Sequence, residues 1–338
     1  MKRRLRTLFY GISHEHASGK LASLRRLSDD FEVVAVVDDR QRRTARFLDP
    51  QCPIDLTGLK VVGEIEAGGG GDIDVAFVET ANADLMEIAG RFVERGIAMH
   101  CDKPCGETME PYRALVGKCR ERNVPFQIGY MYRGNPAIRW LGEKVPQGLL
   151  GDVTFIEADM NHDYGAAGYA EYIASFRGGI FYNLGCHLVD MIVPLVRGEL
   201  LSARLSVGDA PGDPAGSKTS GTAFLRFGGT DVLLRTSAHM PGGILCRRLR
   251  IDGTNGTLDL CPIERFDGGE LKLTLSLKEA RCGCAAGRSE IGFGVQTDRY
   301  AAQLVDLAAV VRGDRPNDQD YDRDLKAHEI LLKACDNQ

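Results

Sequence analysis

Long apolar runs and a strong excess of charge of either sign are both missing from this 338-residue chain. No stretch approaches the roughly 20 apolar residues of a membrane-spanning helix. The 42 basic and 47 acidic side chains leave a net charge of -5, which argues against nucleic acid or a membrane surface as partner. A basic segment, residues 2–6, opens the chain, but the apolar stretch after it is too short for a signal peptide. We therefore expect a cytoplasmic protein.

Metal-binding cysteine pairs are also missing, although the chain has ten cysteines. Cys282 and Cys284 are separated by one residue, whereas zinc sites usually separate paired cysteines by at least two, and no second pair lies nearby. Cys186 and His187 are adjacent, and adjacent helical residues point about 100° apart. We therefore expect reduced structural thiols, no nucleophile–base pair and no metal site.

The first part of the chain alternates apolar strand patterns with helical patterns. This alternation is typical of a doubly wound parallel sheet, the Rossmann arrangement, and we assign residues 1–130 to it. The predicted strands cover 8–10, 32–37, 73–78, 96–101 and 124–130, and the predicted helices cover 15–27, 39–47, 83–94 and 109–122.

The second part, residues 131–338, has several β-rich stretches without regular helices between them. It predicts an α+β domain with an open, mostly antiparallel sheet, for substrate binding and oligomerisation. Too few helices are available to cover both faces, so we expect an exposed apolar face and a homodimer or homotetramer. The predicted strands cover 153–160, 201–207, 222–227, 232–237, 249–252 and 271–277, and the predicted helices cover 135–147, 299–312 and 323–334.

Two short segments indicate the chemistry. Lys103 follows a buried strand at the carboxyl edge of the first sheet, and Pro104 follows the lysine. Asn183, His187 and Asp190 have the spacing i, i+4 and i+7, which places them on one face if a helix begins there. A lysine can polarise a carbinol oxygen and an imidazole can take its proton, which is what an alcohol dehydrogenation requires.

The dinucleotide fingerprint is incomplete. Its three glycine positions fall on Gly11, Ser13 and His16, and only the first is glycine. Ser13 is small and can cap the following helix. His14 or His16 can add a donor to a phosphate, and a tight turn without a ligand remains the alternative.

The end of the second predicted strand supports a cofactor. Asp38 lies there, 27 residues after Gly11, where a carboxylate can grip the adenosine ribose and favour NAD. Arg40 can pair with a 2′-phosphate, so NADP stays open. Thr80 and Asn82 follow the next strand, at the edge where such sheets bind ligands.

With these pieces in order, the chain from about residue 6 to 335 resembles the Gfo/Idh/MocA family, named for glucose–fructose oxidoreductase, inositol dehydrogenase and a rhizopine-catabolism protein. The resemblance is carried by the segments 101–104, 132–136, 179–190, 251–257 and 299–300. It implies a nucleotide-binding domain, a second domain whose open sheet packs against another subunit, and oxidation or reduction of sugars and polyols.

The same resemblance implies roles for single residues. Lys103 would touch the nicotinamide ribose and the substrate, His187 would be the acid–base residue, and Asp102 replaces the family's usual glutamate. Asn183 stands where many members have aspartate, so it would hold a hydroxyl without adding charge. The remaining candidate substrate contacts are Tyr132, Arg133, His162, Tyr164, Arg177 and Asp190.

Three functions follow as hypotheses. The first is an NAD(P)-dependent dehydrogenase of a secondary alcohol in a sugar, sugar derivative or cyclitol. The second is a net non-redox enzyme, in which bound NAD oxidises a sugar transiently so that a neighbouring bond can be eliminated or hydrolysed. The third is a cofactor-binding sensor without turnover, which the incomplete fingerprint and Asn183 both allow.

Overall fold

The computed structural model describes residues 2–41, 53–63, 72–163 and 167–338. The described chain divides into two compact units. One comprises Met1–Met131 with Tyr300–Leu325, and the other comprises Tyr132–Arg299 with Lys326–Gln338. Most of the helix predicted at 39–47 lies outside the described residues, as does Tyr164.

The first unit is built on a six-stranded parallel sheet with the order β3-β2-β1-β4-β5-β6. The strands β4 and β5 are buried along their whole length, as expected for a parallel sheet covered on both faces. The doubly wound prediction is confirmed. The elements are β1 (Leu5–Tyr10), α1 (Ala17–Arg26), β2 (Phe31–Val37), β3 (Val61–Val62), β4 (Val75–Val78), α2 (Leu85–Val93), β5 (Ala98–Cys101), α3 (Met109–Arg122) and β6 (Phe126–Ile128).

The second unit is built on an eight-stranded sheet with the order β14-β13-β12-β11-β7-β10-β9-β8. The strands β7 and β10 are parallel and the other neighbours are antiparallel, which confirms the predicted open, mostly antiparallel sheet. Its elements are α4 (Pro136–Lys144), β7 (Val153–Asn161), α5 (Ala167–Ala174), α6 (Cys186–Ile192), β8 (Leu200–Gly208), β9 (Ser220–Phe227), β10 (Thr230–Ser237), β11 (Arg248–Gly253), β12 (Gly256–Leu260), β13 (Glu270–Leu277) and β14 (Gly287–Val295).

The outer face of this sheet differs from the sequence expectation. Ile156, Ala158 and Met160 of β7 are buried on one face. The opposite face has cross-strand ion pairs, among them Arg235 Nε to Asp159 Oδ1 at 2.5 Å and Arg248 to Asp259 at 2.6 Å. The prediction of an exposed apolar face is therefore wrong. Along these strands, charged residues that point to the outer face alternate with apolar residues that are buried on the inner face.

The segment Tyr300–Leu325 belongs to the first unit, although the sequence grouped it with residues 131–338. This segment contains the whole of α7 (Ala301–Arg312) and the first residues of α8 (Tyr321–Asp336). Gln303 exchanges hydrogen bonds with the end of β6: its Nε2 donates to Ile128 O at 2.7 Å, and its backbone oxygen accepts from Gln127 Nε2 at 3.0 Å. The backbone groups at the end of this sheet therefore fix the returning helix. None of the described helices is long and apolar enough to cross a membrane.

Gly11 directly follows β1 and begins the turn that leads to α1. Its φ is +92°, and a Cβ at this position would lie 2.7 Å from Thr80 N and 2.8 Å from Glu79 C. A side chain here would push the turn away from the end of β4. Glycine is therefore required both by the backbone conformation and by the close approach of β4.

We expect Gly11→Ala to lower the free energy of unfolding by at least about 2 kcal/mol more than Gly58→Ala. Gly58 also has a positive φ, +74°, but no atom lies within 4 Å of an added Cβ. The comparison separates backbone strain, which the two share, from the clash with β4. Urea denaturation measures both variants, and equal losses would show that β4 does not restrict the turn.

Candidate active site

Three strand ends of the first unit meet at the carboxyl edge of its sheet. The β1–α1 turn lies beside Glu79 and Thr80, which follow β4, and Asp102 and Lys103 follow β5. Ligands of open parallel sheets bind at this edge. All four of these residues are buried, so the charges of Glu79, Asp102 and Lys103 act in a low-dielectric environment.

The β1–α1 turn is organised by Asp39, which is 1% exposed. Its Oδ1 accepts hydrogen bonds from Ile12 N at 2.8 Å and Ser13 N at 3.1 Å, and its Oδ2 accepts from the Ser13 hydroxyl. His14 N donates to Glu79 O at 3.0 Å. The backbone donors of the turn are thus paired within the protein.

Asp38 has a different environment. It lies just after β2, as predicted, but its carboxylate faces Arg40, with Nη2 to Oδ2 at 2.6 Å and Nε to Oδ1 at 3.0 Å. Hydrogen bonds from the Arg40 side chain lower the pKa of Asp38. The predicted ribose carboxylate and the predicted 2′-phosphate partner are therefore paired with each other.

Asp102 is the centre of a buried charge cluster. It accepts hydrogen bonds from Lys20 Nζ at 2.5 Å, His16 Nδ1 at 3.1 Å and Lys103 N at 2.6 Å, and His14 Nδ1 lies 3.4 Å away. Burial alone would raise the pKa of Asp102. The neighbouring His14, Lys20 and His16 outweigh burial and hold this pKa well below its usual value.

Lys20 joins Asp102 to the end of β4. Its Nζ also donates to Glu79 Oε1 at 2.8 Å. Burial and the nearby Asp102 raise the pKa of Glu79 well above its usual value, although Lys20 opposes the change. The two carboxyl groups thus share the ammonium group of Lys20. Because the pKa of Glu79 is raised, a state in which only Asp102 is ionised is favoured over one in which both are.

His14, His16 and Asp102 also have metal-ligand character, since one ligand atom from each lies within 4.8 Å of the others. However, the Asp102 oxygen nearest both imidazoles already accepts from the Lys20 ammonium. A divalent ion would have to displace this internal cation. We therefore interpret the group as a charge cluster.

Lys103 is completely buried, and its Nζ lies 3.4 Å from Glu15 Oε1. Asn82 Nδ2 donates to Lys103 O at 2.9 Å and to Pro104 O at 3.3 Å. Asn82, predicted to touch the cofactor, thus holds the backbone that presents the lysine. The two strand ends are joined by this amide.

The edge has features that fit a dinucleotide. Thr80 Oγ1 is buried and has no hydrogen-bond partner among the described residues, and Gly11 lets the β1–α1 turn approach the backbone of Thr80 closely. Thr80 and Lys103 are thus suited to hold the nicotinamide end. Ile12 N and Ser13 N would meet the phosphates, but in this conformation they are bonded to Asp39.

In the second unit, His187 lies on α6, which follows a π-helical turn over Phe181–Gly185. Asn183 lies in that turn and not in the regular helix that the spacing assumed, so the i, i+4 geometry does not apply between it and His187. Both side chains are almost fully buried. Such π-helical turns are frequent at functional sites.

Tyr132 packs against His187 edge to face, with ring centroids 5.1 Å apart. Its hydroxyl donates to Glu264 Oε1 and accepts from Arg247 Nη1, both at 2.7 Å. Burial raises the pKa of Tyr132. A buried ion pair therefore fixes the aromatic ring beside the imidazole, and Arg299 adds a second guanidinium 3.2 Å from Glu264.

Asp190 is paired with Arg133, through Nη2 at 2.5 Å and Nε at 3.0 Å. The sequence offered Asp190 as a group that orients His187, and the structure shows Arg133 as its partner. The remaining candidates lie elsewhere in the unit. His162 continues β7, with its backbone bonded to Ser237 and Met240, and Arg177 forms a surface ion pair with Asp336 at 2.5 Å.

Sequence reasoning missed Asp39, Lys20, Arg247 and Glu264. Lys20 gave a weak signal in the sequence. It lies on α1, four residues after the N-cap residue His16, and side chains with this spacing are neighbours on a helix. Asp39 also gave a weak signal in the sequence, because it is a second acidic residue directly after Asp38 at the end of β2. Arg247 and Glu264 carried none, since a buried ion pair formed by two distant segments leaves no local pattern.

Comparison with known families gives two matches that follow the two halves of the chain. Residues 6–130 match the model described as an oxidoreductase family with an NAD-binding Rossmann fold. Residues 138–259 match the model of the GFO/IDH/MocA C-terminal domain. The two models together cover most of the chain.

Three relatives share between 18% and 28% of their residues with this chain. The chain is 28% identical to the rhizopine catabolism protein MocA of Rhizobium meliloti over 156 residues, 44% of this chain and 47% of that protein, so it spans about half the length of that relative. It is 24% identical to D-apiose dehydrogenase of Paraburkholderia graminis over 77% of this chain and 67% of that protein. An aldose–aldose oxidoreductase structure from Caulobacter crescentus, complexed with glycerol, shares the fold with a TM-score of 0.75 and 18% identity over 99% and 98% of the two chains.

The charge cluster predicts how stability depends on pH. Burial lowers the pKa of His16 from 6.5 to about 4. Between these values the unfolded chain binds a proton that the folded chain does not, so the stability from neutral His16 is complete above pH 6.5 and falls toward pH 4. We expect His16→Gln to remove about 2–3 kcal/mol of that fall.

Urea denaturation at pH 7 and pH 4.5 measures this difference. His239→Gln is the matched control, because His239 lies at the surface beside Asp213. Equal pH slopes in the wild type and His16→Gln would contradict the assignment.

Proposed function

The chain belongs to the Gfo/Idh/MocA family of NAD-binding Rossmann oxidoreductases, and we propose that it oxidises or reduces a secondary alcohol of a sugar, sugar derivative or cyclitol. The observation that supports the proposal most strongly is the burial of Lys103. A completely buried lysine lies at the ligand edge of a parallel sheet, with its backbone held by Asn82 and Asp102. This arrangement costs desolvation and side-chain freedom, which a functional ammonium group explains.

Each catalytic residue has one task. NAD or NADP, when bound, supplies the hydride acceptor or donor. Lys103 donates a hydrogen bond to the carbinol oxygen and stabilises the negative charge that develops there. His187 takes the carbinol proton during oxidation and returns it during reduction, since imidazole is suited to proton transfer near neutral pH.

The substrate class follows from hydroxyl recognition and from the names of relatives. Asn183 offers a neutral amide that can both accept from and donate to hydroxyl groups. The relatives named above are a D-apiose dehydrogenase and a rhizopine catabolism protein. A substrate with several hydroxyl groups agrees with the Asn183 amide and with the name of D-apiose dehydrogenase. A screen of sugars and polyols for NADH fluorescence tests the proposal.

We expect His187→Ala to lower turnover by about 10²–10⁴-fold, because proton transfer by a positioned side chain contributes about that factor. NAD affinity should remain nearly unchanged. Lys103→Ala should lower turnover and also weaken NAD, because the lysine would contact the nicotinamide ribose. Steady-state kinetics and calorimetric NAD titration measure the two effects.

Asn183→Asp is the matched control near His187, since it introduces the commoner family residue and should retain activity. Retained turnover in His187→Ala would contradict the acid–base assignment. A substrate that is consumed without NADH accumulation would favour the redox-neutral hypothesis.

We also propose that the chain forms a homodimer or homotetramer through the outer face of the eight-stranded sheet. This face has ion pairs and Phe224, which is 40% exposed. Light scattering should show an oligomer at micromolar concentration, and Phe224→Glu should weaken it. A monomeric wild type would contradict the proposal.

A further inference from the structure

The β1–α1 turn already binds an anion of its own. Asp39 accepts hydrogen bonds from two successive backbone N–H groups, Ile12 and Ser13, and from the Ser13 hydroxyl. Successive N–H groups of the turn between a strand and the following helix are donors that bind phosphate in dinucleotide sites. The carboxylate of Asp39 therefore uses the donors that a cofactor phosphate needs.

Two other backbone donors of the turn are bonded to the sheet. Gly11 N is bonded to Val37 O at 3.1 Å, and His14 N is bonded to Glu79 O at 3.0 Å. Both acceptors are backbone oxygens of the sheet strands or their ends, so they cannot move without disturbing the sheet. Asp39, in contrast, is a side-chain acceptor of two successive N–H groups, and a side chain can rotate away. Farther along the turn, His16 N is bonded to a different side chain, through His14 Nδ1 at 3.2 Å.

Ser13 links this arrangement to the incomplete fingerprint. A glycine at this position would leave Asp39 with two hydrogen bonds, whereas the serine hydroxyl supplies a third. Charge-assisted hydrogen bonds are roughly twice as strong as neutral ones. The substitution thus strengthens the hold of the turn on its own carboxylate.

We propose that Asp39 is an internal competitor of the cofactor phosphates and sets the nucleotide affinity of this protein. A phosphate and the Asp39 carboxylate cannot share the N–H groups of Ile12 and Ser13, because both are acceptors and both are negative. Nucleotide binding therefore requires Asp39 to release the turn. The inference rests on the proposed function, since its ligand is NAD or NADP.

Asp38 provides a matched control. It is the neighbouring residue and has the same charge, but its carboxylate faces Arg40 and not the turn. Asp38→Asn and Asp39→Asn therefore remove the same charge from the same end of β2. Only the second replaces the charged acceptor of the turn's N–H groups with a neutral one.

The experiment is a calorimetric titration of NAD, ADP and adenosine into the wild type, Asp39→Asn, Asp38→Asn and Ser13→Ala. Asp39→Asn keeps an oxygen that can accept the same N–H groups, so the turn remains folded, but a phosphate can displace the neutral amide. We expect Asp39→Asn to bind NAD and ADP about tenfold more tightly, and Ser13→Ala about threefold. Adenosine, which has no phosphate, should not gain, and Asp38→Asn should bind NAD no more tightly than the wild type.

Unchanged or weaker NAD binding by Asp39→Asn would overturn the inference, and so would an equal gain for adenosine or for Asp38→Asn. These outcomes leave the proposed function intact if the wild type still reduces NAD with a sugar or polyol. Absence of NAD binding in all four proteins would overturn the proposed function together with the inference.

Discussion

The buried carboxylate of Asp102 is the interaction on which the ligand edge of the first unit depends. It joins Lys20 of α1, and His16 just before that helix, to the end of β5 and the backbone of Lys103. Removing one partner of a buried ion pair leaves the other charge uncompensated, at a cost of about 3–5 kcal/mol. The backbone of Lys103 is thus held by the Asp102 carboxylate at its N–H group and by the Asn82 amide at its carbonyl oxygen.

The fold was largely predictable because its signals are local. Buried apolar runs separated by amphipathic helices indicated the parallel sheet, and the helix over 109–122 was predicted with the bounds that the structure shows. Two strands of the second sheet were missed. The strand β12 follows β11 through a short turn that obscured it, and β14 is rich in glycine and mostly exposed, so it lacks the apolar alternation that marks a strand. The return of Tyr300–Leu325 to the first unit depends on distant hydrogen bonds, which no local pattern reveals.

The candidate site was predictable as a set of positions but not as a set of contacts. Lys103 and Asp38 lie at the strand ends where the sequence placed them. The partners of the candidates could not be predicted, because they come from other segments: Arg40 for Asp38, Arg133 for Asp190 and Glu264 for Tyr132. Periodicity reports which face a residue occupies, whereas ion pairs depend on side-chain reach and on charges far away in sequence.

The β1–α1 turn shows how substitution of glycine changes the physical basis of a ligand site. A turn built from glycines leaves its N–H groups and the space beside them to the ligand. Here Ser13 and His16 stand at two of those positions, and they bind Asp39 and Asp102, two carboxylates of the protein itself. Each carboxylate stabilises the turn without a ligand, because it satisfies buried donors that would otherwise be costly. The same bonds must be exchanged when an anionic ligand binds, so the stability of the free turn and its affinity for phosphate are opposed.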